Sequence, residues 1–127
     1  MSIPMLLSTK ILAFALSIGL LVLSSVAGAQ SAYLADVDDL PLAPGLLEDP
    51  TARVAFDKPA GRIVAAVARG STTVDAVADF YHQTLPALGW NAVNGNVWHR
   101  GEERLAIQVD RSKFQVIVRF SLSPQVR

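Results

Sequence analysis

His82 and His99 are the only two histidines in the chain, and neither has a companion at the spacing a metal site requires. An imidazole site needs its second ligand returned to the same face, as in His-x-x-x-His on a helix or His-x-His on a strand. His82 stands beside Asp79 off an apolar stripe, where a solvated side chain belongs, and His99 lies between Trp98 and Arg100 in a short strand. Cysteine is absent, which excludes a thiolate ligand or nucleophile, a disulfide framework and a lipid-bearing N-terminal cysteine. Ser71, Ser112, Ser121 and Ser123 fall at a cap, a turn and the tail, with no Gly-x-Ser-x-Gly elbow and no Ser-x-x-Lys beyond residue 30. Glu102 and Glu103 share a turn, and Asp75 and Asp79 form an i,i+4 pair on a helix face, the pattern of a solvated surface rather than of a coupled acid and base. Phosphate-cradling glycine loops are missing as well. The residue types therefore predict no catalytic set, no metal ligands and no cofactor site: a protein that is not an enzyme.

Surface chemistry suited to binding is what remains. Trp98, Arg100 and Arg119, if they share the outer face of a sheet, would stack an aromatic or anionic group, although an arginine resting on a tryptophan is also ordinary surface packing. A second candidate is the run LPLAPGLL, whose Leu40, Leu42, Leu46 and Leu47 are too apolar for a purely solvated linker. Such a run either lies along its own domain or docks on a partner.

Few elements are available to position these groups. Thr72–Trp90 carries the one sustained helical period, with Val74, Val77, Ala78, Tyr81, Leu85 and Leu88 on a single stripe that Phe80 widens. Thr72 and Asp75 have capping-box spacing at its start, Pro86 tightens or kinks its last turn, and Gly89 offers a left-handed stop. Before it, Arg53–Asp57 and Gly61–Arg69 flank Lys58-Pro59-Ala60 and read as a hairpin, with small Ala65, Ala66 and Ala68 allowing close approach of a helix. After Gly89 the period changes to two. Trp90–Val93 and Val97–Arg100 flank Asn94-Gly95, the strongest two-residue hairpin signal in the chain. Leu105, Ile107 and Val109 then alternate with polar neighbours, and Lys113–Leu122 puts Phe114, Val116, Val118, Phe120 and Leu122 on one face and Arg119 on the other. The order ββαββββ, with the last strand antiparallel beside the second, gives a strand order 3-4-5-6-2-1 without crossing connections. The expected fold is an α+β two-layer sandwich, one helix packed on a mostly antiparallel sheet.

The run Phe80–Trp90, FYHQTLPALGW, resembles the pattern FYxxxLPxLGW of small exported bacterial proteins of unknown function, in which a helix exits at Gly into a strand opened by Trp. The resemblance extends over Val54 to about Leu122. It implies this fold and an envelope location, and it brings no catalytic residues with it.

The first 29 residues read as an address. Lys10 precedes the largely apolar run Ile11–Leu23, and Ala27-Gly28-Ala29 fits the small-x-small rule, so cleavage is expected between Ala29 and Gln30. An uncleaved N-terminal membrane anchor is the alternative. Residues 30–50 are expected as an extended acidic, proline-rich tether holding Asp36, Asp38, Asp39, Glu48 and Asp49 without a basic residue, and residues 51–127 as one α+β domain. The 11 basic side chains balance the 11 acidic ones over the whole chain, a balance that argues against nucleic acid or an anionic membrane surface as partner. Without its leader the chain keeps no segment for stable membrane insertion. Together these features point to a periplasmic or secreted module that binds an envelope protein, with a small-ligand binder using a helix–sheet groove as the alternative.

Overall fold

Helix α1 (Val74–Ala87) starts where a threonine can cap it. In the computed structural model, which describes residues 32–125, that threonine is Thr73 rather than Thr72. Its hydroxyl accepts from the Ala76 amide at 3.0 Å, its backbone is extended, and Asp75 faces the positive helix end from the first turn. At the other end the Gly89 amide donates to the Pro86 carbonyl at 3.1 Å and the Trp90 amide to the Leu85 carbonyl at 3.0 Å. These paired bonds form a Schellman closure, which Gly89 permits with a φ of +93°. Leu85 and Trp90 are both buried and supply the apolar contact of that closure. Pro86 is tolerated in the last turn because the carbonyl it leaves without a partner belongs to His82, on the exposed side of the helix.

Seven strands form one antiparallel sheet: β1 (Leu46–Glu48), β2 (Val54–Lys58), β3 (Gly61–Gly70), β4 (Asn91–Ala92), β5 (Val97–Arg100), β6 (Glu103–Arg111) and β7 (Val116–Pro124). The neighbour relation β4-β5-β6-β7-β3-β2 is the one strand direction predicts. What the sequence reading lacked is β1. The 10-residue β3 is long enough to seat both β2, against Gly61–Ala65, and β1, against Ala68–Gly70, along one edge while β7 occupies the other. The α1 side of the sheet carries Val64, Ala66, Leu105, Ile107, Val116, Val118 and Phe120, all buried.

Residues 32–50, expected as an extended tether, belong to this core. Leu34, Val37, Leu40, Leu42, Ala43 and Leu46 are buried in the same cluster as the helix stripe. The Tyr81 hydroxyl fastens the segment to α1, donating to the Pro41 carbonyl at 3.0 Å and accepting from the Ala43 amide at 3.2 Å. Acidic residues of this segment, which has no basic residue of its own, are matched to arginines of the domain: Asp36 with Arg53 at 2.9 Å, Asp39 with Arg100 at 2.7 Å and Asp49 with Arg69 at 3.6 Å. Asp49 also accepts from the Thr51 amide and hydroxyl, capping a 3-10 turn at Pro50–Ala52, and those bonds hold its carboxyl below the usual carboxylate range. The apolar drive to cover the sheet outweighs the prolines, which sit between short hydrogen-bonded turns rather than inside an element.

Two turns depart from expectation, with consequences for side-chain placement. β4 and β5 pair Ala92 with Trp98, and the Val93 amide donates to the Val97 carbonyl, so the loop is the three-residue Asn94-Gly95-Asn96. Asn94 stabilises it by accepting from the Asn96 amide at 3.0 Å. At the β6–β7 hairpin Arg111 pairs with Val116, leaving Phe114 in a four-residue loop and 90% exposed instead of on the core face.

Candidate functional site

The extra loop residue decides the fate of Trp98. A one-residue change of register moves a strand's side chains to the opposite face, and here Trp98 lies against Leu105 on the α1 side, buried. It is a core residue, and its expected placement on the outer face is corrected accordingly. Arg100 is likewise turned inward to structural use. Its guanidinium lies 4.3 Å from the centre of the Trp90 ring. It donates to Asp39 at 2.7 Å, to the Leu88 carbonyl at the helix end at 3.1 Å and to Glu103 at 3.3 Å. One side chain thus ties the N-terminal segment, the α1 terminus and the β5–β6 turn together, and the Asp39 carboxylate raises its already high pKa.

The outer face of the sheet is where exposed binding chemistry gathers. Register places Leu47, Arg69, Ile117 and Asp110 in one row across the strands, Val67, Arg119 and Gln108 in the next, then Val54, Ala65, Ser121, Ala106 and Val97, then Phe56 and Ile63. Two expected site residues, Leu47 and Arg119, share this face. Leu47 is 74% exposed, whereas its companions Leu40, Leu42 and Leu46 are buried and unable to meet a partner. Arg119 donates to Asp110 at 2.7 Å, an exposed pair that orients the guanidinium along the sheet more than it stabilises the fold. Small Ala65, Ala106 and Ser121 leave a shallow trough of about 450 Å³ between Val67, Gln108 and Arg119.

Val54 and Phe56, 53% and 47% exposed, were missed as candidates because a short strand read from alternation does not reveal which of its faces stays uncovered. The available signal was the pairing of a five-residue strand with Ile63 and Ala65, which fixes Val54 and Phe56 on the face opposite Val64. A second concavity, about 350 Å³, lies between α1 and β6, lined by Ala78, His82, Asn96, Trp98, Gln108 and Asp110. In it the His82 ring stands 5.6 Å from that of Trp98. Among the described residues no group of three or more His, Asp or Glu side chains is placed to hold a metal ion, and no helix is long and apolar enough to cross a membrane. Comparison with protein families, with curated proteins and with solved structures finds no match to this chain.

Proposed function

We propose that the protein is an exported, non-enzymatic binding module of the cell envelope that receives a protein partner on the outer face of its sheet. The observation that carries this reading is that Leu47, Val54 and Phe56 share one sheet face and are all exposed among the described residues. Apolar side chains gathered on an open face favour a partner that covers them, and the Arg119–Asp110 pair and Gln108 beside the trough supply orienting polar contacts. Export rests on the leader pattern of residues 1–29. A photo-crosslinking residue at Phe56 or Val67 in the exported protein is expected to yield discrete adducts, while the same residue at Asp79, exposed on α1, does not. Equal labelling at all three positions, or none, would overturn the reading.

The concavity between α1 and β6 supports a second reading, a small-ligand site in which the exposed His82 ring, backed by buried Trp98, contacts an aromatic or planar guest. Native mass spectrometry of the protein purified from its envelope separates the two: a bound small molecule lost on His82→Ala favours the groove.

A further inference from the structure

We infer that the free edge of β2 pairs with the same edge of a second copy of this chain, antiparallel about a two-fold axis at Ala55. The inference rests on the reading of the protein as an interaction module and names the partner of one edge. All five residues of β2 are exposed, and its only described neighbour is β3. The hairpin to β3 turns through Pro59 and Ala60 with Lys58 opposite Gly61, so Lys58–Gly61 is the closing hydrogen-bonded pair. Alternation then directs the amides and carbonyls of Lys58, Phe56 and Val54 toward β3 and those of Asp57 and Ala55 outward. Arg53, extended at the end of the 3-10 turn, continues the outward set.

Only registers that match outward residues with outward residues can form an antiparallel ladder. Centred on Ala55, the stretch Arg53-Val54-Ala55-Phe56-Asp57 is self-complementary. Ala55 meets Ala55 of the second copy in a hydrogen-bonded pair, Arg53 meets Asp57 twice, and Val54 meets Phe56 twice in the closer, non-bonded pairs. The neighbouring register centred on Phe56 would set Pro59, which has no amide, opposite Arg53 and would put Val54 against Lys58. Asp57 makes no ion pair among the described residues, so its carboxylate is available. Arg53 contacts Asp36 through Nε, and a guanidinium has further donors for a second carboxylate. On the outer face the pairing would join the exposed Val54 and Phe56 of both copies into one apolar patch, as an isologous two-fold contact requires. Five paired residues bury less area than a permanent dimer does, so the association is reversible.

Sedimentation velocity of the purified chain without residues 1–29 tests this. A concentration-dependent shift from monomer to dimer is expected, weakened at least about fivefold by Asp57→Arg, which faces Arg53 with a like charge, and recovered in Arg53→Asp combined with Asp57→Arg. Because the chain has no cysteine, Ala55→Cys places a single thiol at the axis. The two Cα atoms would lie about 5.5 Å apart, within disulfide range, and mild oxidation should link copies through that position but not through Ser112→Cys. A monomer at about 0.5 mM, failure of the double charge exchange to recover association, or equal oxidation at both positions would overturn the inference. Crosslinks from Phe56 to a different protein would then leave the binding-module reading standing alone, and their mass distinguishes that result from a pair of identical chains.

Discussion

Arg100 lies over Trp90 with its guanidinium 4.3 Å from the ring centre while Nη1 reaches Asp39 at 2.7 Å. The pairing converts an arginine that looked available for a ligand into a clamp on the N-terminal segment. Lysine cannot reproduce it, because one ammonium does not stack on the indole and reach two carboxylates and a carbonyl together. Arg100→Lys is expected to cost about 1 to 2 kcal/mol in chemical denaturation, and a double-mutant cycle with Asp39→Asn should return a coupling that shrinks in high salt. A coupling indistinguishable from zero would show that the ion pair merely decorates the surface.

Trp98 gives the sharpest test of the β4–β5 register. Buried against Leu105, it should lose about 3 to 5 kcal/mol on truncation to alanine. That is a large share of the roughly 5 to 15 kcal/mol available to a small domain. Arg119→Ala, which removes one exposed pair, should change stability by less than about 0.5 kcal/mol. Equal, small losses for both would return Trp98 to the outer face and require a two-residue turn at Asn94-Gly95.

The helix stripe, the strand directions and therefore the sheet order were legible because each is written in local periodicity. Val74, Val77, Tyr81 and Leu85 repeat at helical spacing, and Val116, Val118, Phe120 and Leu122 at strand spacing, whatever lies opposite them. For Leu40, Leu42 and Leu46 the sequence left two readings, packing along their own domain or docking on a partner, since their spacing follows no period; the first holds, and the Tyr81 hydroxyl bonded to the Pro41 carbonyl fastens the segment. Trp98 turned on a single loop residue, and alternation inside a strand is silent about loop length. The outer face, with Val54, Phe56 and Leu47, emerged only when register set three separate strands side by side.

Alkaline pH should loosen the protein through Tyr81. Burial disfavours the phenolate and pushes this group above its ordinary value, with the Ala43 amide as a smaller opposing influence. Below pH about 10 the hydroxyl is protonated in folded and unfolded chains alike, and its contribution is fully present. As pH rises further the unfolded chain ionises first, so stability falls by about 1.4 kcal/mol per pH unit toward the folded-state value. Tyr81→Phe should start about 1 kcal/mol lower, having left the Ala43 amide unpaired, but should lose that part of the alkaline slope. Parallel stability curves for the two proteins between pH 9 and about 11.5 would contradict the assignment.

Gly70 is where the N-terminal segment meets the sheet most closely. A Cβ built there would collide with the Gly45 carbonyl oxygen and fall 3.0 Å from the Leu46 Cα. Both are backbone atoms, so no side-chain rotation relieves the contact, and Gly45 is itself held at φ +91°. Gly70→Ala should therefore separate β1 from β3, costing more than about 2 kcal/mol. The damage should be local first: hydrogen exchange at Leu46–Glu48 and at the Leu40 and Leu42 amides is expected to rise before that of β5 and β6, which pair with each other beyond β7 in the sheet. A control variant, Gly95→Ala, has open space around the new methyl group and should leave exchange across β1 unchanged. Uniform loss of protection throughout the sheet in Gly70→Ala would mean that the segment and the sheet unfold as one cooperative unit, and protection unchanged from the parent would mean that β1 is not seated beside Gly70.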